Sequence, residues 1–175
     1  YEFIEYISKK NKPTILYTGL SHDFEIDKAV KAFEKTGNKK LIIMHCVAIY
    51  PPEDSQVNLN KILTLKNLYP YPIGFSDHSL GAAMPITSIA LGARVIEKHF
   101  TIDKKMDGWD HHISADENDM KQIVNGCKRA FDGLGSEKIV RIESQDRVDS
   151  FRRSIVTKQK INKGTIIQRS MLDVK

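Results

Sequence analysis

Residues 73–101 read IGFSDHSLGAAMPITSIALGARVIEKHFT. An apolar run beginning at Pro72 and Ile73 gives way to Ser76-Asp77-His78. A stretch of small residues then follows from Leu80 to Leu91, closed by Gly92. A second apolar run, Ala93 to Phe100, contains Glu97-Lys98-His99. The pattern predicts strand, short helix and strand, with a histidine at the C-terminal end of each strand. Strand–helix–strand with short connections is a right-handed parallel crossover, which brings both strand ends to the same edge of the sheet. Neighbouring strands lie about 4.8 Å apart, so imidazoles at adjacent ends can share one divalent ion or stand as separate polar tips. Two histidines with carboxylates and water suit Mn²⁺, Fe²⁺ or Zn²⁺ with open positions, not a closed structural zinc site. Alternation puts Val95, Glu97 and His99 on one face of the second strand and Ile96, Lys98 and Phe100 on the other. Glu97 is thereby either a partner that orients a metal-binding histidine or a general base.

Working outward, the same βα grammar recurs. Glu2–Lys9 reads as the end of a helix stopped by Asn11-Lys12-Pro13, and Thr14–Thr18 as a strand closed by Gly19. Asp23, Glu25 and Asp27 open a helix where its dipole favours acidic groups, with Ile26, Val30 and Phe33 at helical spacing. Leu41–Met44 is a continuous apolar strand leading into His45-Cys46 and an irregular loop through Tyr50-Pro51-Pro52. Asn58 is expected to cap a helix carrying Leu59, Ile62, Leu63 and Leu68. After the second histidine strand comes a polar loop, residues 103–114. From Asp116 an amphipathic helix then presents Met120, Ile123, Val124, Cys127, Phe131 and Leu134 as one stripe. Glu137–Asp149 is charged and aperiodic. Beyond it, Ser154–Val156, Ile161 and Ile166-Ile167 read as short β pieces.

Alternating α and β with short links means parallel strands, in either a doubly wound sheet or a (β/α) barrel. A complete barrel needs about 250 residues. Here 175 residues supply four units, so the alternatives are a four-stranded open sheet and half of a barrel. In both, chemistry sits at the C-terminal strand edge. That edge offers Tyr17-Thr18, His45, Ser76-Asp77-His78 and Glu97-Lys98-His99. His45 reads as a structural strand-end histidine, His22 as surface, and His111-His112 as adjacent residues whose side chains diverge. Asp110 beside Trp109 is a plausible sugar-contacting pair, since carboxylates bind hydroxyls and indoles cover sugar faces.

Composition limits the alternatives. Net charge is +5 with Lys and Arg scattered, which argues against nucleic-acid binding and suits an anionic substrate. Cys46 and Cys127 make no disulfide framework and read as packed thiols of a reducing compartment. No apolar run reaches the ~20 residues of a membrane span, and the N-terminus lacks a signal-peptide pattern. The expectation is a cytoplasmic protein with no membrane partner. There is no Gly-rich phosphate loop of the P-loop or Rossmann type.

Taken together, Thr18-Gly19, His45-Cys46, Tyr50-Pro51, Gly74–Ser79, Ala90–Ala93, Glu97–Thr101, residues 108–114, Arg153–Val156 and Ile161–Gly164 resemble the N-acetylneuraminate (sialic acid) synthase family. The resemblance implies the last four units of a parallel (β/α) TIM-type barrel over residues 1–136. It further implies a linker over 137–150 and the start of a small antifreeze-like (SAF) domain over 151–175. It implies condensation of phosphoenolpyruvate with an N-acetyl amino sugar such as N-acetylmannosamine, giving a nonulosonic acid and phosphate. His78 and His99 would hold the divalent metal, Mn²⁺ in most members. Ser76 would contact phosphoenolpyruvate, and Tyr50 and Asp110 the sugar. Glu97, from strand alternation rather than from the resemblance, is this chain's catalytic candidate, and Asp77 beside Ser76 is taken as a further substrate-binding residue. The family works as homodimers. Tyr17 stands where many members have Ser, Ala48 where many have Asn or Ser, and Trp109 where Pro is usual. The family's first four strands, with a catalytic Glu and phosphate-binding Lys residues, have no counterpart in these residues, so the function expected is that of a longer protein. The competing readings are a non-catalytic sugar-binding or scaffold version of the fold, and another (β/α) metal enzyme such as a hydrolase or aldolase.

Overall fold

The computed structural model describes residues 1–108 and 110–175. Trp109, and with it the indole half of the expected sugar-contacting pair, lies outside the described residues. The chain divides into two compact units, Tyr1–Gly135 and Ser136–Lys175.

The first unit is built on four parallel strands in the order β1-β2-β3-β4: β1 Thr14–Tyr17, β2 Leu41–Cys46, β3 Ile73–Asp77 and β4 Val95–Lys98. Helices α1 Glu2–Ser8, α2 Asp23–Glu34, α3 Asp54–Val57, α4 Asn60–Leu68, α5 Ala83–Ala90 and α6 Glu117–Leu134 surround them. Strand alternation decides which architecture this is. Leu16, Leu41, Ile43, Ile73, Phe75 and Ile96 all face one way. There they form the core with Val30 and Phe33 of α2 and Ile62 and Leu65 of α4. The opposite face carries two rows in register, Tyr17/Met44/Gly74/Val95 and Cys46/Ser76/Glu97. Ile15 and Tyr17 on that face are each 45% exposed. A doubly wound sheet has helices on both faces. Helices over one face only, with a partly polar second face, form an arc of a TIM-type barrel.

Gly74 lies on that inner face, and a Cβ there would overlap Met44 Sδ and come within 2.8 Å of the Val95 carbonyl oxygen. Its absence of a side chain lets Met44, fully buried, lie across the middle strands.

Several local expectations are corrected. Asn58 does not cap the helix after it. It takes a left-handed conformation (φ 50°) that ends the short helix α3, and α4 starts behind Leu59. Left-handed backbone is a common helix terminator, and Asn tolerates it better than most residues. The α6 stripe is only partly covered: Ile123 is buried, whereas Val124, Phe131 and Leu134 are 58%, 52% and 47% exposed. The reason is packing. α6 lies along α5, and a cavity of about 530 Å³ lined by Ile96, Met120, Ile123 and Cys127 opens between it and β4. Its start matches expectation, since the Asp116 side chain accepts the Asp119 amide.

In the second unit, helix α7 Gln145–Phe151 forms in the stretch read as aperiodic. Ser144 caps it by accepting the Arg147 amide. Strands β5 Ile155–Thr157 and β6 Leu172–Val174 pair antiparallel. Ile161, Ile166 and Ile167 fall outside strands. Among the described residues no helix is long and apolar enough to cross a membrane.

Candidate active site at the strand ends

The β3–β4 crossover brings the two strand-end histidines together. The His78 and His99 rings have centroids 5.2 Å apart in an edge-to-face arrangement. Tyr50, from the loop after β2, covers both, at 4.2 Å from His78 and 5.8 Å from His99. His78 Nδ1 lies 2.9 Å from the Val47 carbonyl. A carbonyl can only accept, so Nδ1 carries the proton and Nε2 keeps its lone pair. His99 Nδ1 is 3.4 Å from Asp110 Oδ2, a contact too long to set its tautomer. An oxygen acceptor behind the imidazole, as at His78, is how metal-binding histidines are oriented. Among the described residues no group of three or more His, Cys, Asp or Glu side chains is placed to hold a metal ion. The two neighbouring imidazoles alone could offer a divalent cation at most two protein nitrogens, its other positions being left to substrate or water.

One layer deeper on the same face sits Glu97. Tyr17 Oη donates to its Oε2 at 2.6 Å, and Ser76 Oγ donates to its Oε1 at 2.8 Å. The carboxylate raises the Tyr17 phenol to about 12, first through this hydrogen bond and then through burial and charge. Cys46 is in the same row, its thiol raised by burial and lowered in part by the Ser76 hydroxyl. Burial, then the charges of Cys46, Asp110 and Glu97, raise Tyr50. These directions tie Tyr50, Asp110, Glu97 and Cys46 into one electrostatic neighbourhood.

Asp77 belongs to the other face. Its carboxylate accepts the Ser79 amide at 2.8 Å and hydroxyl at 2.7 Å. It also pairs with Lys98 at 2.8 Å, where the two side chains are 0% and 2% exposed. Lys98 donates to the Ser79 carbonyl as well. The expected substrate contact at Asp77 thus meets a different geometry: with both oxygens engaged inside the protein, Asp77 fixes the turn that carries His78. His45 also points toward the helices, its Nε2 donating to the Val57 carbonyl at 2.7 Å, and burial lowers its pKa. His111 Nδ1 is bonded to Thr101 Oγ1 at 2.8 Å.

The structure thus gathers His78, His99, Tyr50, Asp110, Ser76 and Glu97 at one edge and removes Asp77. Sequence reasoning gave no role to Lys98 or to Tyr17 as partners of site residues. The signal for Lys98 was present: alternation put a charged residue on the core face, level with Asp77 in register. Tyr17 carried no such signal, because its partner lies 80 residues away on a strand that does not neighbour β1.

Known proteins bear directly on this arrangement. A protein of Methanocaldococcus jannaschii with no described function is 47% identical over 165 residues, covering 94% of this chain and 49% of that protein. A pseudaminic acid synthase of Campylobacter jejuni is 37% identical over 164 residues, covering 94% of this chain and 48% of that enzyme. The crystal structure of an N-acetylneuraminic acid (sialic acid) synthetase from Leptospira borgpetersenii, in complex with citrate, superposes with a TM-score of 0.78 at 35% identity. That superposition covers 86% of this chain and 53% of the synthetase. The chain spans about half the length of the curated relatives it matches. The NeuB family model matches residues 1–139, and the chain belongs to the NeuB family.

Proposed function

We propose that the protein containing this chain is a sialic-acid-type synthase. It condenses phosphoenolpyruvate with an N-acetyl amino sugar, giving a nonulosonic acid and inorganic phosphate. The observation that carries this reading is the His78–His99 pair. The Val47 carbonyl stands behind His78 Nδ1, and a hydroxyl-bound carboxylate, Glu97, stands beside the pair on the same face.

In the reaction, C3 of phosphoenolpyruvate forms a bond to the open-chain sugar aldehyde carbon. Water adds at C2, and phosphate departs by C–O cleavage. A divalent cation held by His78 and His99, Mn²⁺ by family resemblance, supplies Lewis acidity toward the aldehyde oxygen. The chain's own groups do the rest. By family resemblance Ser76, at the C-terminal end of β3 and bonded to Glu97, is the residue on the phosphoenolpyruvate side. The Tyr50 phenol, kept protonated by burial and neighbouring negative charge, and the Asp110 carboxylate meet sugar hydroxyls. Glu97 serves as the carboxylate that accepts a proton in the cleft. Asp77 and Lys98 hold the His78 turn from behind. The same reading carries a cytoplasmic homodimer, with residues 151–175 opening an antiparallel SAF-type domain.

The test is phosphate release by the full-length protein given phosphoenolpyruvate, N-acetylmannosamine and Mn²⁺. Mn²⁺-dependent release that His78→Ala abolishes is expected. Failure to turn over any N-acetyl amino sugar, or activity indifferent to His78→Ala, refutes the reading.

A further inference from the structure

The link between Tyr17 and Glu97 is not explained by the packing of the sheet. β1 and β4 are the outer strands of the order β1-β2-β3-β4. Three steps of about 4.8 Å would hold them about 14 Å apart in a flat sheet. Yet Tyr17 Oη lies 2.6 Å from Glu97 Oε2, because the sheet curls toward the face that carries both. Register puts Tyr17 level with Met44, Gly74 and Val95, one layer below Cys46, Ser76 and Glu97. The phenol therefore reaches up to Glu97 from beneath, and the ring stays out of the row where Ser76 stands.

Glu97 is exposed and makes no ion pair with a lysine, arginine or histidine among the described residues. A carboxylate on an exposed strand end with three side-chain torsions would sample several rotamers. Here each oxygen takes one hydroxyl donor, Ser76 from the neighbouring strand and Tyr17 from across the arc. Donors on both oxygens fix the position and the plane of the carboxylate together, and Ser76 alone would leave rotation about its single bond. The phenol is a dedicated donor: its pKa, raised to about 12 first by the hydrogen bond to Glu97 and then by burial, keeps the proton on oxygen at any physiological pH.

We propose that Tyr17 is a positioning residue for Glu97, bracing the carboxylate from β1 so that it meets the reacting groups in one orientation. The inference rests on the synthase reading for the identity of those groups, and on geometry alone for the brace. Tyr17 acts through Glu97.

The experiment uses the full-length protein and the variants Tyr17→Phe, Glu97→Gln and both together. Phenylalanine keeps the ring and its packing and removes only the donor. Losing the brace misplaces the carboxylate, so Tyr17→Phe is expected to lower kcat by about 10- to 100-fold with KM for both substrates within about twofold. Glu97→Gln is expected to lower kcat further, and the double variant no further than Glu97→Gln alone, since Tyr17 has nothing left to position. A second readout does not need turnover. With ¹³C-labelled tyrosine, the Tyr17 ring is expected to ionise near 12 in the unmutated protein and at a lower pH in Glu97→Gln, where burial alone still holds it above the free phenol. Three results overturn the inference: an unchanged kcat in Tyr17→Phe, a rise confined to the phosphoenolpyruvate KM, or a Tyr17 ionisation indifferent to Glu97→Gln. Absence of turnover in the unmutated protein instead refutes the synthase reading, and with it the kinetic role. Turnover without coupling between Tyr17 and Glu97 refutes the brace alone.

Discussion

His78 shows how much one backbone oxygen can decide. Because Nδ1 donates to the Val47 carbonyl, the tautomer is fixed before any ligand arrives, and Nε2 is the nitrogen presented to the cleft. The sequence made the histidine visible through its place after an apolar strand, but a carbonyl 31 residues away leaves no mark in composition or spacing. His45 illustrates the converse. Read as structural from sequence, it is 1% exposed, with Nε2–H bonded to Val57 and a pKa lowered from 6.5 by burial. A histidine whose folded pKa lies below its unfolded value binds fewer protons when folded. Stability is therefore full above about pH 6.5 and falls as pH drops toward the folded pKa, by about 1.4 kcal/mol for each unit of separation. Thermal melts from pH 7 to pH 5 are expected to show this loss. His45→Gln, which keeps a donor for the Val57 carbonyl without a titrating ring, is expected to flatten it.

The element that matters most is the β3–turn–α5–β4 crossover. Its existence and its two histidines were legible because apolar runs, Gly92 and the small-residue helix mark it plainly. What was not legible was how the turn is held. Lys98 and Asp77 form an ion pair on the core face with almost no exposure, and the Ser79 amide and hydroxyl complete the carboxylate's coordination. Removing one partner strands a buried charge. Lys98→Met is expected to cost about 3–5 kcal/mol in denaturant unfolding, and pairing it with Asp77→Leu is expected to recover part of that loss. Either outcome separates this pair from surface pairs such as Lys31–Asp27, whose side chains are 69% and 44% exposed and whose removal is expected to change stability by less than about 1 kcal/mol. Helix α6 was legible as amphipathic, but how much of its stripe is covered was not. Periodicity reports which face is apolar and says nothing of what packs on it.

At the scale of the molecule, the number of βα units and their parallel order followed from the sequence pattern, whereas the choice between an open sheet and a barrel arc came only from the family resemblance. Both architectures share the same local pattern. They differ in whether the second face of the sheet is covered, a property of long-range packing. The chain divides after Gly135, at the start of the charged stretch, and α7 within that stretch left no periodic mark. Residues 136–144 carry no helix or strand and hold Lys138 and Arg141. Limited trypsin digestion of the full-length protein is therefore expected to cut there first, before any site within 14–134, as mass spectrometry of early fragments would register. The curl of the sheet has a kinetic consequence. Each neighbouring strand pair is joined by a single βα step, so its pairing closes a short loop. The Tyr17–Glu97 bond instead spans 80 residues and becomes available only after three such pairings have formed. A contact that waits on three earlier pairings and forms past the folding barrier slows unfolding without hastening folding. Tyr17→Phe is therefore expected to speed unfolding in stopped-flow denaturant jumps and to leave the refolding rate unchanged, so that the lifetime of the cleft's shape is read on the unfolding limb.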